Sequence, residues 1–174
     1  MITFKQYITE LFDKPYKWRK FGNIDVSKLN QAPKLQTYNF NTDDGRHIVV
    51  DVSHFILSNG KHITTIEFND ESANKQGQKY NPGYDLTGEG DAMRIMSTVL
   101  DTIKDMIKTT NPDMVRFSAD KQQGIPGNAF KLKATGRVKL YKTMVKRFAG
   151  KLGYTLDKAN DDGSSIRFNL IRKK

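Results

Sequence analysis

Cysteine is absent from the 174 residues. Neither a disulfide nor a thiolate metal site can form, and a reducing compartment suits such a chain. Long apolar runs are absent too. Nothing approaches the roughly 20 residues that a membrane-spanning helix needs, and the opening Met1–Tyr7 lacks the apolar centre of a secretory signal. A cytosolic setting away from membranes is therefore expected. Histidine is scarce: His47, His54 and His62 are the only three. No two of them stand four apart, as two ligands on one helix face would, so no metal site is expected. Histidines in strands are expected to be hydrogen-bonded structural residues. There is no Walker A loop and no serine in a nucleophile elbow, which excludes two common routes to phosphoryl and acyl transfer.

Acidic residues are also in short supply. Against 29 Lys and Arg there are 19 Asp and Glu, a net charge of +10. The imbalance is local. From Lys121 to Lys151 no acidic residue occurs, while Lys121, Lys131, Lys133, Arg137, Lys139, Lys142, Lys146, Arg147 and Lys151 do. Such a run is either a patch for a polyanion, nucleic acid or an acidic protein surface, or a solvated helix face next to a polar loop. Lys131, Lys133, Arg137, Lys139, Lys142, Lys146 and Arg147 are the candidate nucleic-acid contacts.

Periodicity supplies the elements. A short amphipathic helix is expected over residues 3–12, with Phe4, Tyr7, Ile8 and Leu11 on one face. The run Lys14 to Gly22 then alternates cations with aromatics. Its aromatics, including the one Trp, are expected to pack on the core rather than read bases. Residues 23–34 read as irregular. Leu35–Phe40, Arg46–Phe55 and Lys61–Asn69 read as three strands of an antiparallel meander, joined at Asp43-Asp44-Gly45 and Asn59-Gly60. Residues 70–83 are polar and without period, hence a loop. Met114–Ala119, Tyr154–Leu156 and Ser165–Ile171 are further strands, the last two flanking a turn at Asn160–Gly163. A helix over 137–152 carries the stripe Val138, Tyr141, Val145, Phe148 and Leu152. No boundary divides the chain, so one domain is expected over 1–174, with 1–34 as an N-terminal helix and basic-aromatic segment and 35–174 as the core.

The chain centres on Tyr84–Ile107. Here Gly88-Glu89-Gly90-Asp91 leads into a helix whose Ala92, Ile95, Met96, Val99, Ile103, Met106 and Ile107 recur at helical spacing, with Leu100 beside them. Arg94, Thr98, Asp101, Lys104, Asp105 and Lys108 take the opposite face. Asp91 is expected as the N-cap. A glycine turn opening a helix can cradle a phosphate on its free N–H groups, or be a tight turn and nothing more.

This order of elements resembles the Gcn5-related N-acetyltransferase (GNAT) family over about 35–172. In that family a Q/R-x-x-G-x-G/A turn holds the coenzyme A pyrophosphate. Asp85-Leu86-Thr87-Gly88-Glu89-Gly90 matches its two glycines, and Asp85 stands where the family has a basic or amide residue. Arg137-Val138-Lys139-Leu140-Tyr141 and Gly153-Tyr154 are similar to the family's next helix and its close. The resemblance implies an α+β fold with a mixed, mainly antiparallel sheet flanked by helices. It implies acetyl-CoA as cofactor if the protein is catalytic, and none otherwise. Gly88, Gly90, Asp91, Ala92, Met93 and Arg94 would then hold the cofactor, with Glu67 as general base and Tyr141 as general acid. The opening Met-Ile-Thr-Phe-Lys-Gln-Tyr-Ile-Thr-Glu also resembles the start of small tailed-phage proteins, which implies the host-cell cytoplasm or the virion. The expected function is a non-catalytic GNAT-like protein that binds nucleic acid or a protein partner; the alternative is a coenzyme A-dependent N-acyltransferase.

Overall fold

The alternation of buried and exposed residues along each strand sets the architecture. In the computed structural model, residues 14–71, 89–120, 142, 145–146, 149–157, 159–161 and 165–174 are described. They form β1 (Trp18–Phe21), β2 (Lys34–Asn41), β3 (His47–Ile56), β4 (His62–Asp70), helix α1 (Glu89–Thr110), β5 (Met114–Asp120), β6 (Tyr154–Leu156), β7 (Asn160–Asp161) and β8 (Ser165–Arg172). Hydrogen-bonded neighbours run β1-β2-β3-β4-β5-β8-β6, with β7 on β8. The β4–β5 pair is parallel, whereas β1–β2, β5–β8, β6–β8 and β7–β8 are antiparallel. This is the expected mixed, mainly antiparallel sheet flanked by helix. Contacts separate two compact units, and β3 and β4 each run through both.

The first unit comprises Met1–Lys28, Lys34–Val52 and Glu67–Asn111. Its β2 buries Gln36, Tyr38 and Phe40, the period-two face expected of a half-buried strand. β1 lies antiparallel on β2, with Trp18 opposite Phe40 and Phe21 opposite Thr37. This strand was not expected, because the cation–aromatic alternation of Lys14–Gly22 was read as composition rather than as a strand period. Its aromatics do pack inward: Tyr16 is buried and stacks on Phe40 at 5.8 Å, and Trp18 meets Tyr38 edge-on at 5.3 Å. Phe21, at 50 % exposure, does not.

Helix α1 buries Ile95, Met96, Val99, Leu100, Ile103 and Met106, as its stripe dictates. It also buries Thr98, which the pattern had assigned to the opposite face. The Thr98 hydroxyl donates to the Arg94 carbonyl and accepts the Tyr16 N–H, both at 2.8 Å, so no polar atom there is stranded. The helix begins at Glu89, which puts Asp91 inside the first turn and not at the N-cap. It ends at Thr110: the Asn111 N–H still reaches the Ile107 carbonyl at 2.8 Å, and the positive φ of 42° at Asn111 then turns the backbone out of the helix ahead of Pro112.

The second unit comprises Leu29–Pro33, Ser53–Ile66 and Pro112–Lys174. β4 meets β5 over Ile63↔Met114 to Ile66↔Phe117, and β5 meets β8 from Met114↔Ile171 to Asp120↔Ser165. Val115, Phe117, Phe168 and Leu170 point into the core, and Phe117 stacks on Phe168 at 5.4 Å. Of the expected helix over 137–152, Lys142, Val145 and Lys146 are described as helical; Val145 is buried and both lysines are exposed. Asn160 and Asp161, expected in a turn, pair with Arg167 and Ile166 instead. The expected helix over 3–12 and the loop beyond Glu71 lie outside the described residues.

Candidate functional site

Two polar clusters and one arginine pair stand out from the apolar packing. In the first unit, Asp101 and Asp105 sit one turn apart on α1 and serve residues of β1 and β2. Trp18 Nε1 donates to Asp101 at 2.9 Å; Lys20 Nζ donates to Asp105 at 2.8 Å, and the Tyr38 hydroxyl donates to Asp105 at 2.9 Å. Tyr38 is fully buried, and burial together with the Asp105 charge pushes its phenol well above the ordinary value. The cluster clamps β1 and β2 to α1. The helical period puts Asp101 and Asp105 on the polar face of the helix and gives them no partner, and Tyr38 is expected only as a strand residue. The available signal was the i, i+4 acid pair on the helix, facing residues 16, 18 and 20 at strand spacing.

In the second unit, His54 of β3 and His62 and Thr64 of β4 meet in the core. His54 Nδ1 lies 3.3 Å from His62 Nε2 and 3.0 Å from Thr64 Oγ1. Burial, and next the neighbouring His62, lower the His54 imidazole to about 4 from 6.5. The His62 N–H donates to Asp113 Oδ2 at 2.9 Å, and the Asp113 N–H returns to the His62 carbonyl at 2.9 Å. Arg172 pairs with the same carboxylate. These contacts tie β3 to β4, and β4 to the start of β5, inside the second unit. Among the described residues no group of three His, Asp or Glu side chains could hold a metal ion.

The arginine pair is on the opposite side of the second unit's sheet from Val115, Phe117, Phe168 and Leu170. Arg116 and Arg167 project there from β5 and β8, with Arg116 Nε donating to Asn169 Oδ1 at 3.0 Å. Burial and then the like charge of Arg167 lower the Arg116 guanidinium below its usual value.

The residues expected to act lie as follows. Glu67 is on β4 with its carboxylate exposed. Gly90, Asp91, Ala92 and Met93 are helical residues of α1's first turns. Arg94 is held: its Nη1 lies 2.5 Å from Asp43, its Nε donates to the Lys14 carbonyl at 2.9 Å, and its guanidinium covers the Tyr16 ring at 3.8 Å. Lys142 and Lys146 are exposed. Gly88, Tyr141, Lys131, Lys133, Arg137, Lys139 and Arg147 lie outside the described residues. The structure thus brings none of the described candidates into one reacting centre. No helix among the described residues is long and apolar enough to cross a membrane. No family model matches the chain, and neither does any curated protein.

Proposed function

We propose that this is a GNAT-like protein of a tailed phage that uses the fold to bind nucleic acid and not to transfer an acyl group. The strand order supports the fold: one parallel step, β4 to β5, made through α1, in an otherwise antiparallel set. The exposure of Glu67 supports binding over turnover. A carboxylate that deprotonates an amine works best in a cleft shielded from bulk solvent, and Glu67 is exposed on β4. The observation that carries the reading is the charge: Lys142 and Lys146 stand exposed, one turn apart, beside buried Val145, within a stretch from Lys121 to Lys151 that has no acidic residue. An electrophoretic shift across a salt series tests it. Binding must weaken steeply as salt rises, and a shift that is absent or indifferent to salt refutes the reading.

The second reading, a coenzyme A-dependent N-acyltransferase, draws on one feature. The β4–β5 ladder covers only Ile63–Ile66 on Met114–Phe117, while β4 runs on to Asp70. A pantetheine arm needs neighbouring strand ends that part, and this ladder ends before β4 does. Titration calorimetry with acetyl-CoA decides it: no heat at high concentration excludes the cofactor. Heat, together with turnover that drops about 100-fold in Tyr141→Phe, would make it an enzyme.

A further inference from the structure

The sheet face of the second unit opposite Val115, Phe117, Phe168 and Leu170 has an ordered composition. Across it, one row is Ile63, Met114, Ile171 and Thr155, each the register partner of the one before. The next row is Thr65, Arg116 and Asn169. Arg167, two residues along β8 from Asn169, is diagonal to Arg116, and such diagonal neighbours sit about 7–8 Å apart. Half-buried Met114 and exposed Ile171 therefore make an apolar step beside an arginine step. Ile63 is buried, whereas Ile171 is 38 % exposed.

A cation pair on neighbouring strands repels itself unless an anion sits between. Neither Arg116 nor Arg167 has a carboxylate partner among the described residues. Asp157, which follows β6 opposite Asn169, makes no ion pair with either of them. Asn169 accepts the Nε–H of Arg116 and fixes the guanidinium plane on the face, leaving Nη1 for an incoming oxygen; Nη2 lies 3.8 Å from Met114 Sδ.

We propose that this face of β5 and β8 is a binding track for single-stranded nucleic acid, with phosphates on Arg116 and Arg167 and bases against Met114 and Ile171. The proposal rests on the polyanion reading above and names a surface for it. Successive phosphodiesters meet the two guanidiniums, and base faces cover the apolar step. A duplex is a poorer occupant, because its grooves admit a helix or a narrow ribbon and not a flat sheet face. An acidic peptide would satisfy the arginines but leave the apolar step uncovered.

The test is fluorescence anisotropy of a labelled oligothymidine on the full chain, between about 50 and 200 mM salt. Arg116→Gln/Arg167→Gln should weaken binding about tenfold or more. Each lost phosphate contact should also flatten the log–log salt slope by about 0.7, so by about 1.4 for the pair. Arg167→Gln alone, at an exposed position, should flatten it by about 0.7 without disturbing the fold, with circular dichroism as the check. Unchanged affinity in the double variant overturns the proposal. So does weaker binding with an unchanged slope, which would mean a structural role, and so does duplex bound as tightly as single strand. Poly-glutamate bound through the arginines while oligothymidine is not would assign the face to an acidic protein and also overturn it. Loss only in Lys142→Gln/Lys146→Gln would leave the polyanion reading standing and remove the sheet face from it. A wild-type chain that binds no oligonucleotide ends both.

Discussion

Acid should destabilise this protein before its carboxylates titrate, and His54 is the reason. Its imidazole is fully buried between strands and held at about 4, against 6.5 when free. Below pH 6.5 the unfolded chain takes up a proton that the folded chain refuses. The stability from keeping His54 neutral is whole above about pH 6.5 and is lost as pH falls toward 4. The gap between the two values is worth up to about 3 kcal/mol, at roughly 1.4 kcal/mol per pH unit. By pH 5 about 2 kcal/mol of it should be gone. Urea melts at pH 7.5, 6.5, 5.5 and 5 measure this directly. With a denaturant slope of about 2 kcal/mol/M, the midpoint should fall by about 1 M across that range. In His54→Gln, which cannot ionise, the same series should be much flatter, whatever the variant's own stability. A wild-type midpoint that does not move between pH 7.5 and 5 would refute the account. A His54→Gln series as steep as the wild type would place the titration elsewhere.

Asp105→Ala removes the acceptor shared by Lys20 and the buried Tyr38 hydroxyl and should cost about 1–3 kcal/mol in urea melts; Asp105→Asn, which keeps an acceptor, should cost less, and equal costs would show that the geometry of the clamp does not matter. Val99→Ala deletes two methyl groups at a site 2 % exposed on α1 and should cost about 1–3 kcal/mol. A loss under about 0.5 kcal/mol, typical of a surface site, would contradict the burial of that stripe.

How much was legible in the sequence follows from how local each signal is. β2, β3 and β4 were readable because side chains alternate between faces within a few residues, and the turns between them carry Asp-Gly and Asn-Gly. α1 was readable because Ile95, Met96, Val99, Ile103 and Met106 repeat at the helical period. The charge excess needs no fold at all. β1 was missed because its four residues, Trp18-Arg19-Lys20-Phe21, are too few to show a period and fit a strand and a basic surface run equally well.

The sequence alone therefore determined β2 to β6, β8 and α1, most of their apolar faces, and the basic character of the chain. Tertiary structure decided the pairings, which join residues far apart in the chain. Lys20 reaches Asp105, Arg94 reaches Asp43, and Arg116 reaches Asn169. It also decided that β5 runs parallel to β4 and antiparallel to β8, which is what places Arg116 diagonal to Arg167. No local period encodes those choices, because strand pairing is set by which apolar faces can be buried together once the whole sheet has formed.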